Sequence, residues 1–164
     1  MTTDAFAKAE MNWGVDAAIK YKGQIIQKVR AAYLDTGSST IDLPNDAYRK
    51  FADATGAVPN GDIMLISQEE YAAMEDLVIV IRGREWPLIP NALKEADNLD
   101  EDGDVEMGRR SSKVVLRVNP MDETQTAFGF GLGAPFFERY YMHLDDGKQR
   151  IGIGRTPYTQ SESN

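Results

Sequence analysis

The chain contains no cysteine. That excludes disulfides and thiolate metal sites and leaves the redox compartment open, since a cysteine-free chain survives in either. Histidine occurs once, at His143, in a stretch that reads as a strand with no serine or cysteine constellation beside it. Ser-His-Asp chemistry is therefore unsupported, and an ordinary strand residue is the better reading. No run of about 18 apolar residues occurs, so no membrane span is expected. The first ten residues carry Asp4 and Glu10, which does not suit a signal peptide. Bases are scarce: 18 Lys and Arg against 26 Asp and Glu give a net charge of -8. With no basic stripe to neutralise phosphates, nucleic-acid binding is not expected. No Asn-x-Ser/Thr glycosylation acceptor is present either.

What is present suffices for one domain with a real core, at 164 residues and 42% hydrophobic content. Partial alternation over residues 13–21, a turn at Lys22-Gly23-Gln24, and apolar runs at 25–29 and 31–34 read as a β meander. Asn45 is placed to cap a helix over 46–55, with Tyr48, Phe51 and Ala52 at core spacing and Gly56 as its stop. Residues 57–63 are turn-rich, and Ser67-x-x-Glu70 is a capping box for a second short helix to about Asp76. The apolar run 77–81 reads as a strand buried on both faces, followed by a hairpin turn and a strand at 86–89. Residues 98–110 read as a surface loop and 113–118 as a strand. Two final strands, 140–144 and 150–154, flank a turn, and the tail from Thr156 is expected to fray.

Three motifs invite chemistry. Asn98-x-Asp100-x-Asp102-Gly103 matches the first half of a calcium-binding EF-hand loop, but Arg109 stands where a bidentate Glu is needed and no helical pattern flanks it, so a solvated charge run is expected. Gly129-x-Gly131-x-x-Ala134 satisfies a loose dinucleotide fingerprint, yet it lies late in a strand-rich chain, where a tight glycine-rich strand crossing is the better reading. Tyr33-Leu34-Asp35-Thr36-Gly37-Ser38 sets one carboxylate between an apolar run and a hydroxyl-rich turn, a local recipe for a held, outward-facing acid. As a bare tripeptide Asp-Thr-Gly carries little; a simple turn explains it equally well.

Taken together, Tyr33-Leu34-Asp35-Thr36-Gly37-Ser38, the late Gly133-x-x-Phe136-Phe137-x-x-Tyr140-Tyr141 and the closing Arg150-Ile151-Gly152-Ile153-Gly154 resemble the pepsin-like aspartic proteases, and within them the C-terminal lobe. Trp13-Gly14-Val15-Asp16-Ala17, Pro90-Asn91-Ala92 and Phe137-Glu138-Arg139 are similar to the basidiomycete polyporopepsin-type enzymes, which also can lack cysteine. The likeness runs through nearly the whole chain; it departs at Gly131-Leu132-Gly133, where bulkier residues often precede the final glycine, and at Pro135.

The resemblance implies an all-β fold with two or three short helices, one lobe of the pepsin-like acid protease fold, across residues 1–164. It implies a secreted endopeptidase without cofactor or metal, acting on a peptide or protein substrate, with no nucleic-acid or membrane partner. Such enzymes use two aspartates, and this chain holds a single Asp-Thr-Gly. The partner implied is an N-terminal lobe carrying the second, from the same precursor or a separate chain. By resemblance Asp35 is one member of the pair, Thr36 braces the two turns, Gly37 allows close backbone approach, and Ser38 hydrogen-bonds the carboxylate. Tyr33, Gly37 and Ser39 would line substrate subsites. Two alternatives stay open: a non-catalytic binding or inhibitory module made of one lobe, and a homodimer pairing two copies of Asp35 in the manner of retroviral proteases.

Overall fold

A computed structural model of the chain describes residues 13–61, 63–95, 113–121 and 128–162. Two tight turns frame its main sheet. Lys22 and Gly23 have φ of 47° and 72°, and Arg82 and Gly83 have φ of 49° and 75°. This paired left-handed backbone matches the twist of the strands it joins. The first turn closes β1 (Gly14–Tyr21) on β2 (Gln24–Leu34) and the second closes β6 (Leu77–Ile81) on β7 (Arg84–Leu88). Between them lie β3 (Ile41–Pro44), α1 (Asn45–Thr55), β4 (Val58–Asn60), β5 (Ile63–Ser67) and α2 (Gln68–Ala72). After them come β8 (Lys113–Leu116), β9 (Val118–Met121), β10 (Phe130–Leu132), α3 (Ala134–Phe137), β11 (Tyr140–Asp145) and β12 (Arg150–Arg155). The all-β architecture with short helices is thus as expected.

Seven strands form one sheet in the order β7-β6-β1-β2-β10-β3-β9, while β4-β5-β8 and β11-β12 form two smaller sheets. The central crossing matters most. β2 and β3 are successive in the chain but not neighbours: β10 lies between them, parallel to β2 and antiparallel to β3. Leu132 pairs with Leu34 on one side and with Ile41 on the other. Residues 35–40 must therefore arch over the end of β10.

The core gathers where this crossing meets α1 and α3. Leu43, Phe51, Phe130, Leu132 and Phe136 are fully buried, each worth about 1.5–3 kcal/mol relative to exposure. α1 packs its Tyr48, Phe51 and Ala52 face on β2, β3 and β9, and Tyr21 meets Phe51 edge to face at 5.1 Å.

Several local expectations change. Helix α1 starts at Asn45 itself, because Pro44, the last residue of β3, holds the cap position without a side-chain bond. Gly56 ends α1 in the left-handed conformation as expected, its N–H donating to the Ala52 carbonyl. Ser67 and Glu70 do form the capping box, but α2 stops at Ala72. The turn-rich 57–63 region contains a short hairpin, Val58 pairing with Leu65. Strand β6 is not buried on both faces: Leu77, Ile79 and Ile81 are buried while Val78 and Val80 are only half so. The strand over 113–118 breaks at Arg117. The tail does not simply fray, since the Arg139 guanidinium donates to the Tyr158 and Ser161 carbonyls at 3.1 and 2.9 Å. The calcium-like motif at 98–103 lies outside the described residues.

Candidate active site

Asp35 leaves β2 at the edge of the crossing, and the arch that follows is tied to β10 at one limb and to the start of α3 at the other. The Asp35 N–H donates to the Leu132 carbonyl at 3.1 Å, and the Ala134 N–H donates to the Ser38 carbonyl at 2.8 Å. Gly133 runs beneath the arch so closely that a Cβ there would overlap the carbonyl oxygens of Ser38 and Thr40. Only glycine fits, for want of space rather than for a left-handed backbone. The dinucleotide-like glycines receive the same explanation. A Cβ at Gly129 would strike the Arg30 side chain and one at Gly131 the Tyr33 ring, so these positions admit neighbouring side chains across the sheet.

The Asp35 side chain is exposed, and its Oδ1 accepts the Gly37 N–H at 2.8 Å. Among the described residues Oδ2 has no hydrogen-bond partner, so one carboxylate oxygen is held and the other is left to solvent or a partner group. The Thr36 hydroxyl is exposed and likewise free of hydrogen bonds among the described residues. Ser38 differs from expectation: its hydroxyl faces the Thr40 hydroxyl at 3.3 Å and accepts the Thr40 N–H at 3.3 Å, not touching the Asp35 carboxylate. The reason is local. After Gly37 the arch turns down toward β3, so Ser38 serves the descending limb. Ser39 is exposed, while its carbonyl accepts from Arg117 Nε at 2.8 Å.

Tyr33 is half-buried, and its hydroxyl donates to Asp42 Oδ2 on β3; Thr40 Oγ1 donates to Asp42 Oδ1 at 2.6 Å. Burial first, and then the anionic acceptor Asp42, push the Tyr33 phenol well above its ordinary range. The ring meets Phe128 edge to face at 5.6 Å. Asp42, Gly131 and Arg117 thus belong to the site's frame although nothing singled them out as its supports. For Arg117 there was a signal: one base inside the apolar run Val114-Val115-Leu116-Arg117-Val118.

No group of three or more His, Cys, Asp or Glu among the described residues could hold a metal ion. His143 is exposed on β11, far in the chain from the arch. The chemistry this geometry can offer is that of one presented carboxylate, a backbone donor fixing it, and a free hydroxyl beside it.

Polyporopepsin from Irpex lacteus is 29% identical over 160 residues, covering 95% of this chain and 46% of that protein. The crystal structure of aspartic proteinase from Irpex lacteus matches with a TM-score of 0.80 at 29% identity, over 93% of this chain and 45% of that one. The chain therefore spans less than half the length of these relatives. From residue 2 to residue 156 it matches the family described as eukaryotic aspartyl protease, and to that family the chain belongs.

Proposed function

We propose that this chain is the C-terminal lobe of an aspartic endopeptidase and supplies one of the two carboxylates that hydrolyse a peptide bond in acid. The observation that carries the reading is Asp35, exposed where β2 enters the arch over β10, with Oδ1 fixed by the Gly37 N–H. Two carboxylates about 3 Å apart cannot both ionise, so such a pair holds one proton and titrates as a unit. The ionised member takes a proton from water as it attacks the carbonyl carbon, and the protonated member polarises the carbonyl oxygen. Proton return to the leaving nitrogen then completes hydrolysis without a covalent intermediate. Asp35 Oδ2 and the Thr36 hydroxyl, without a hydrogen-bond partner among the described residues, are the groups available to face a second such turn. The partner is an N-terminal lobe bearing another Asp-Thr-Gly, the substrate an extended peptide lying over Asp35 with Gly37 and Ser39 beside it, and the setting a secreted one.

The test is made on the native enzyme. A denaturing mass spectrum should reveal a second Asp-Thr-Gly, in the same precursor or a separate chain. Asp35→Asn should abolish hydrolysis of a protein substrate in acid and binding of a statine-type inhibitor. Undiminished hydrolysis by that variant would overturn the reading.

A further inference from the structure

Arg117 is only 8% exposed and sits at the break between β8 and β9. Its backbone accepts the Ile41 N–H at 2.9 Å and donates to the Leu93 carbonyl at 2.7 Å. Its side chain reaches in two directions: Nε donates to the Ser39 carbonyl at 2.8 Å, while Nη1 and Nη2 grip the two carboxylate oxygens of Glu138 at 2.8 and 3.0 Å. Glu95 stands further off, its carboxylate 4.0 Å from Nε. One residue therefore holds the descending limb of the arch at two points, Ser39 and Ile41. It also anchors that limb to the chain just past α3, whose first residue Ala134 bonds the Ser38 carbonyl.

A buried guanidinium is costly to desolvate, and apolar residues of similar volume commonly serve stability as well or better. What they cannot supply is the planar fork, which fixes direction at a carbonyl and a carboxylate together. We propose that Arg117, aligned by Glu138, is a positioning residue for Asp35. It sets the descending limb of the arch, and the arch in turn keeps the Gly37 N–H on the Asp35 carboxylate. This rests on the proposed protease function, because the geometry matters only if Asp35 must meet a second carboxylate and a substrate.

The experiment compares Arg117→Met, Arg117→Lys and Glu138→Gln in the native enzyme by steady-state hydrolysis and by amide hydrogen exchange. Arg117→Met should lower kcat by about ten- to a hundredfold with KM nearly unchanged, the scale that small misplacements of a catalytic group produce. Exchange should quicken at Gly37, Ile41 and Ala134 while the β1–β6 ladder stays protected. Arg117→Lys should fall between, keeping the charge but losing the fork. Unchanged kcat and unchanged exchange in the arch would overturn the proposal, and so would a general loss of protection reaching β1 and β6. Should Arg117→Met not fold, Glu138→Gln decides by the same criteria. Full activity in Asp35→Asn would instead sink the protease reading, while exchange at Gly37 and Ala134 would still report whether Arg117 holds the arch.

Discussion

The Tyr33 ring fills the space that a side chain at Gly131 would need. The two residues are register partners on β2 and β10, and a Cβ at Gly131 would overlap the ring and its hydroxyl. Because Gly131 carries no side chain, the phenol crosses β10 there and bonds Asp42, the residue paired with Gly131 on β3. The missing side chain at Gly131 is thereby matched by a large residue opposite it. Gly131→Ala should destabilise the chain by about 1–3 kcal/mol through overpacking. Tyr33→Leu in the same chain should recover part of that loss. Denaturant titrations of the single and double variants give the coupling energy, and strict additivity would show that the two residues do not share the space.

Tyr33→Phe isolates the strap from the packing. It keeps the ring over Gly131 and leaves Asp42, among the described residues, with the Thr40 hydroxyl as its side-chain donor. Hydrogen bonds to charged groups are worth about 1.5–3 kcal/mol, so a loss near the lower end is expected at this half-buried site. Thermal unfolding measures it.

Alkaline pH should weaken the fold through Tyr140. Burial, the dominant cause, pushes this phenol up to about 12, with Arg155 opposing and Asp76 adding to the rise. Its hydroxyl donates to the Pro87 carbonyl at 2.6 Å. The folded chain holds a proton that the unfolded chain releases near pH 10, so stability from this group is full below about 10 and is lost as pH rises through about 12. Spectrophotometric titration should show late-ionising phenols, and Tyr140→Phe should both remove one of them and flatten the alkaline fall in stability.

The arch was legible in the sequence because its signals are local. An apolar strand before Asp35 and small residues after it each act within a few residues. The Tyr33–Asp42 strap and the Arg117–Glu138 pair were not legible, because they depend on β10 inserting between β2 and β3. No periodicity records that insertion. Ser38 illustrates the boundary: its residue type suits a carboxylate partner, but the direction of its hydroxyl follows the descent toward Thr40, which only the fold sets. Similarly, the 156–162 segment has a loop composition and a buried cation beneath it.

That last contact supports a truncation test. The Arg139 side chain is 2% exposed, and burial lowers its pKa from the ordinary arginine value, with Glu138 opposing. The tail supplies acceptors to it at Tyr158 and Ser161, and the Thr159 hydroxyl donates to the Arg139 carbonyl at 2.7 Å. Ending the chain after Arg155 would strip two carbonyls from a guanidinium that water reaches poorly. Hydrogen bonds to charged groups are worth about 1.5–3 kcal/mol, and the site's new opening to solvent should hold the loss toward the lower bound. Arg139→Met in the full chain removes the charge with its need for partners, so it should cost less than the truncation, and the truncated Arg139→Met chain should be more stable than the truncated chain that keeps Arg139. If truncation proves neutral by urea denaturation, the tail is an appendage and Arg139 is satisfied without it.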